Sequence, residues 1–108
     1  MRRIDVTNYS VRVRGQDGNY TELPYDMKDS MVEALLARDL QLSGTALLES
    51  DELARKIMSC TDGSIILEEA EWLKLVHALN TIKGLGRPDV DFVHRIFEAE
   101  KVEVEEKK

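Results

Sequence analysis

Lys83-Gly84-Leu85-Gly86-Arg87 is the stretch whose residue types come closest to ligand chemistry. Glycines let a backbone approach a phosphate closely, and flanking cations neutralise it. A helix starting just after the stretch adds free amides. Lys83, Gly84, Gly86 and Arg87 are therefore an anion-site candidate. The stretch is neither a dinucleotide fingerprint nor a P-loop, and its simpler reading is the end of one helix and the start of another.

Other reactive side chains are scattered. His77 and His94 are the only histidines, and Cys60 is the only cysteine. A zinc site needs three or four ligands at recognisable spacing, and these three residues lack it. Cys60 falls near a helix end, not at a start that would lower its pKa, so an inert thiol is the default. Glu68, Glu69 and Glu71 have the types for acid–base work, but their place at a helix start gives them an electrostatic role there. No catalytic residue, metal ligand or cofactor site is assigned.

Arg2, Arg3, Arg12 and Arg14 concentrate positive charge near the N-terminus. Arg12 and Arg14 share one strand face, opposite Val11 and Val13. They read either as charges guarding a hairpin against edge pairing or as a partner-binding patch, head-to-tail self-association included.

The elements that position these groups follow from periodicity and punctuation. Residues 3 to 14 alternate and predict a strand with one buried face. The Asp17-Gly18 step predicts a turn, and Tyr20 to Tyr25 predicts the return strand, with Pro24 placing it at an edge. Asp26 suits the N-cap of a helix over 27–38, buried through Met27, Met31, Ala34 and Leu35. A short helical turn is expected at Thr45 to Glu49. Ser50 then caps a helix over 51–60, with Leu53, Ala54, Ile57 and Met58 inward. Ser64 to Leu67 predicts a third strand. The clearest helix spans Glu68 to Lys83, with Trp72, Leu75, Val76, Leu79 and Ile82 on one face and Gly84 past its end. Pro88 and Asp89 open a last helix with Val93, Ile96 and Phe97 inward, and Lys101 to Glu105 alternates as a final strand.

The expected fold is α+β, an N-terminal β-hairpin plus short additional strands forming a small sheet packed by three to five helices. Residues 1–104 form one compact domain, and 105–108 are a charged flexible tail. The chain has 108 residues, 43% of them hydrophobic, and a formal charge of −6. That charge opposes broad nucleic-acid affinity, which needs cations to replace phosphate counterions, and opposes binding to anionic membrane surfaces. No apolar run reaches the ~20 residues of a membrane span. A single cysteine fits a reducing compartment, and the chain reads as cytoplasmic.

Six segments carry a family resemblance: Ile4-Asp5-Val6, Asp17-Gly18, Met31-Val32-Glu33-Ala34-Leu35, Leu53-Ala54-Arg55-Lys56-Ile57, Ile66-Leu67-Glu68-Glu69-Ala70-Glu71 and Val93-His94-Arg95-Ile96. In this layout the chain resembles small uncharacterised proteins of tailed phages and prophages. The resemblance implies a context, virion assembly or host takeover, and no site. The first expectation is a non-enzymatic protein-interaction module, a phage or prophage accessory or assembly factor that can self-associate, located in the bacterial cytoplasm or on the virion. The alternatives are an acidic inhibitor or regulator of a host nucleic-acid enzyme, and a small phosphate-ligand binder using Gly84–Arg87.

Overall fold

The structure, a computed structural model, describes residues 1–103. Strands β1 (Arg2–Asp5), β2 (Tyr9–Arg14) and β3 (Tyr20–Tyr25) precede helices α1 (Met27–Leu35) and α2 (Gly44–Ser59). Strand β4 (Ser64–Leu67), α3 (Glu69–Thr81), α4 (Val90–Phe97) and β5 (Glu100–Lys101) follow. Short 3-10 turns at Arg38–Leu40 and Arg87–Asp89 precede α2 and α4. The architecture is α+β, with the strands in two sheets rather than one.

The alternation over residues 3 to 14 is interrupted, and this divides the sheets. Asp5 Oδ1 accepts from Thr7 N at 2.9 Å and from Thr7 Oγ1 at 2.6 Å, a local turn that competes with the strand ladder. Asn8 Oδ1 then accepts from Met27 N at 3.1 Å. β1 becomes the central strand of an antiparallel sheet ordered β4-β1-β5, with Ile4 opposite Ile65 and Arg2 opposite both Leu67 and Lys101. β2 and β3 form a separate hairpin with Tyr9 opposite Tyr25 and Arg14 opposite Tyr20. Its five-residue connection, 15–19, closes with Gly15 N donating to Asn19 O at 2.8 Å and Gly18 N to Gly15 O at 3.0 Å. Gly18, at φ 82°, supplies the left-handed residue this loop needs.

Only the base of the hairpin is packed. Tyr9 and Tyr25 lie against the core, whereas Val13 and Leu23 are exposed. The expected buried face of this strand is thus limited to its first turn of alternation, and the molecule measures 58 × 32 × 22 Å.

The core lies between the three-stranded sheet and the helices. Ile4, Ile65 and Leu67 face Met27, Met31, Leu35, Leu75 and Ile96 in one cluster. α1 begins as expected, with Asp26 accepting from Asp29 N at 3.0 Å, but it ends at Leu35. The separate turn at 45–49 and the Ser50 cap give way to one sixteen-residue helix, α2. Ser43 caps it through Ala46 N at 3.3 Å. Ser50 is buried instead, because Ser50, Leu53, Ala54 and Ile57 form its i, i+3, i+4, i+7 stripe. Met58 points to solvent, 51% exposed.

α3 buries Leu75 and Leu79, with Trp72, Val76 and Ile82 half-buried beside them. Glu71 Oε1 reaches back to Glu68 N at 2.9 Å, half of a capping box. The helix ends at Thr81, before Lys83, and Gly84 takes φ 89°. In α4 the inward residues are Phe92 and Ile96, while Phe97 is 39% exposed. β5 is shorter and earlier than expected. Residues 104 and 105 of the expected last strand, and the expected tail, lie outside the described residues.

Candidate functional site

The four N-terminal arginines do not form one patch. Arg2 faces inward: its Nε lies 2.8 Å from Glu69 Oε1, its guanidinium covers the Trp72 ring at 4.1 Å, and its Nη1 donates to Ala99 O at 3.1 Å. Arg3 lies on the open sheet face, 3.5 Å from Glu100. Arg12 and Arg14 alone share a face, on the hairpin, because β1 and β2 belong to different sheets.

The fold brings a different cation to Arg12. Arg87, in the 3-10 turn before α4, lines a cleft with Val11, Arg12, Tyr20 and Pro88. Arg12 lies over the Tyr20 ring at 5.3 Å. Among the described residues, Arg12, Arg14, Arg87 and the distant Arg38 make no ion pair, whereas Arg2, Arg3, Arg55 and Arg95 each do. A guanidinium held over an aromatic ring but without a carboxylate partner can still bind one bidentately.

The hairpin base fixes this cleft. Tyr9 and Tyr25 stack with centroids 4.7 Å apart. Tyr9 Oη donates to Pro88 O at 3.0 Å and accepts from Phe92 N at 3.1 Å. Tyr25 Oη donates to Asp89 Oδ1 at 2.6 Å. On the other side of Tyr9, Arg95 lies over the ring at 4.8 Å and donates to Thr7 O at 2.7 Å. Burial, reinforced by the Asp89 carboxylate, pushes the Tyr25 hydroxyl well above its usual 10.0.

That shift has a sign. The folded state keeps the Tyr25 proton to higher pH than the unfolded chain, so its stabilisation is full below about pH 10 and is lost as pH rises through the folded value. Tyr25→Phe should remove part of the alkaline stability loss between about pH 9 and 11, measured by urea denaturation. Tyr9, also shifted upward by burial, leaves a remainder. An unchanged alkaline limb in the variant would contradict the assignment.

The Lys83–Arg87 loop is built in a way that opposes anions. Lys83 N donates to Asp39 Oδ2 at 3.0 Å, and Gly86 N to Asp89 Oδ2 at 2.9 Å. Two of the amides a phosphate would use are thus already bonded to carboxylates. The side chains beside the loop are mainly apolar. Leu85, Val90, Val93 and Phe97 line a groove of about 530 Å³ whose rim carries Arg87, Asp89, His94 and Glu98. Exposed Val90 and Phe97 carried no sequence signal, since α4 reads there as an ordinary amphipathic helix.

No family model, curated protein or solved structure matches the chain. Its chemistry must be read from its own geometry. Among the described residues, no three His, Cys, Asp or Glu side chains group as a metal donor set, and no helix is long and apolar enough to cross a membrane. His77 is exposed on α3. His94 lies 3.3 Å from Glu98. Cys60 Sγ, half-buried, donates to Ser64 O at 3.4 Å. Four of the five carboxylates on α2 and α3 are paired, Glu49 with Lys74, Asp51 with Arg55, Glu71 with Lys56 and Glu69 with Arg2, at 2.8 to 3.0 Å.

Proposed function

We propose that this chain is a non-enzymatic protein-interaction module, an accessory or assembly factor of a phage or prophage, that meets its partner through the hairpin and the turn at Arg87–Asp89. The observation carrying this reading is the meeting of Arg12 and Arg87 in one cleft, with Arg14 next along the same hairpin face, all three without ion pairs among the described residues, on a protein whose formal charge is −6. Unpaired charges of one sign steer encounter and set register with a partner of the other sign. The phage context rests on the resemblance of the sequence segments, and with it a place in the bacterial cytoplasm or on the virion.

The alternatives have weaker support. An acidic inhibitor of a nucleic-acid enzyme needs carboxylates free to replace phosphates, and those of α2 and α3 are largely tied to lysines and arginines. A phosphate-ligand site needs the loop amides that Asp39 and Asp89 hold. Self-association is a branch of the first reading, with a second copy as the partner.

Site-specific photocrosslinking tests the reading. A photoreactive phenylalanine derivative at Val13, exposed on the hairpin, should give a discrete protein adduct in the organism that encodes the chain. The same group at His77, on the exposed side of α3, should not. Equal adducts from both positions, or none from Val13, would contradict a hairpin-centred contact.

A further inference from the structure

α4 carries two apolar stripes. Phe92 and Ile96 belong to the core. Val90, Val93 and Phe97, at i, i+3 and i+7, form a second stripe in which Val93 still packs against the core while Val90 and Phe97 turn outward. Val93 is half-buried, but Val90 is 51% and Phe97 39% exposed. Leu85, 40% exposed, faces this stripe across the groove. The fold does not need these side chains open, and apolar groups left so gain by being covered.

The groove wall is set in advance. Asp39 and Asp89 fix the loop backbone on both sides of Leu85, and Asp89 is itself held by Tyr25. A preformed cavity of about 530 Å³ lies within the usual range for small ligands and peptide side chains. It has room for a few apolar side chains, whereas a stable contact between two globular copies needs ~800 Å² from each.

Charge gives the groove a direction. Arg87 lines both the groove and the cleft that holds Arg12, and Arg14 continues along the same hairpin face. Glu22 is the carboxylate opposite Arg12 in register. At the far end, Glu98 is paired with His94. Where the groove meets the hairpin, Arg12, Arg14 and Arg87 outnumber the carboxylates of Glu22 and Asp89, and both Asp89 oxygens are already held by Tyr25 Oη and Gly86 N.

We propose that the groove and cleft together receive a linear segment of another protein in which apolar side chains lie beside a run of carboxylates. The apolar part seats between Leu85 and the Val90–Val93–Phe97 stripe, and the carboxylates meet Arg87, Arg12 and Arg14. This rests on the reading of the chain as a contact module and names the chemistry of what it contacts.

The test uses the full isotope-labelled chain and a synthetic peptide of leucines and a phenylalanine followed by aspartates. Amide shifts should change at Val90, Val93 and Phe97 and at Arg12 and Arg87 in the same titration. Val90→Ser and Phe97→Ser, at exposed positions that leave the core intact, should each weaken binding by about tenfold. A peptide with lysines in place of the aspartates should not bind. If a peptide with serines in place of its apolar residues binds as tightly, with shifts only on the hairpin, the groove is removed while the hairpin contact stands. If the aspartate peptide shifts neither surface, or the lysine peptide binds equally, the proposed ligand chemistry is overturned, and the Val13 crosslink then decides separately whether the hairpin is a contact at all.

Discussion

Phe92→Ala should destabilise the protein by about 3–5 kcal/mol and loosen the hairpin along with α4. Phe92 is 2% exposed and is one of the largest fully enclosed side chains. Its ring centroid lies 5.9 Å from that of Tyr25, and its backbone N–H donates to the Tyr9 hydroxyl. Truncation leaves a cavity under the stacked tyrosines that hold the hairpin to the body. A domain of this kind has only about 5–15 kcal/mol in total, so the variant should be near its folding limit. Urea denaturation gives the loss, and hydrogen exchange along β2 should rise more than in β4. A loss below about 1.5 kcal/mol, or unchanged exchange in β2, would show that Phe92 does not anchor the hairpin.

Trp72→Ala should cost about 3 kcal/mol, the lower end for a large aromatic, because the residue is only half-buried. Its Nε1 donates to Ile96 O at 2.7 Å, and its ring supports the Arg2 guanidinium at 4.1 Å. Arg2 also joins Glu69 and Ala99 O, so truncation removes the platform of a link between β1, α3 and the segment after α4. The wild-type tryptophan should fluoresce blue of a fully hydrated indole and be partly shielded from iodide. Red-shifted emission with full quencher access would contradict this packing.

Much of the fold can be read from the sequence where a local rule and the tertiary outcome agree. Asp26, the Met27–Met31–Ala34–Leu35 stripe, the Asp17-Gly18 turn and Ser64–Leu67 are such places. The break between β1 and β2 was also present as a phase change. Ile4 and Val6 fall on even positions, whereas Tyr9, Val11 and Val13 fall on odd ones, and a one-residue slip sends side chains to the opposite face. Ser50 misleads because serine is both a good cap and small enough for a buried helix stripe. Only packing separates the two, and here Ser43 caps the helix.

The site was less legible. Arg12 and Arg87 are far apart in sequence, and nothing local says that the turn at Arg87–Asp89 docks beside β2. That docking depends on two tyrosine hydroxyls reaching Pro88 O and Asp89. The glycine loop looked like an anion site because its residue types are right. Asp39, which contributes to its occupation, comes from the turn before α2, and a motif scan has no access to such a partner.

The most direct test of the contact account is quantitative capture by the wild type and by an Arg12→Glu/Arg14→Glu variant, side by side, from an extract of the encoding organism. Both side chains are exposed on the hairpin, so circular dichroism should be unchanged, and the melting temperature should fall only slightly, because Glu at position 12 loses the Tyr20 ring and faces Glu22. Proteins retained by the wild type at low salt should be reduced at least about tenfold on the variant, and lost by both in 1 M salt, where the Debye length falls to about 3 Å. The same proteins captured equally by wild type and a folded double variant at low salt would contradict the contact account.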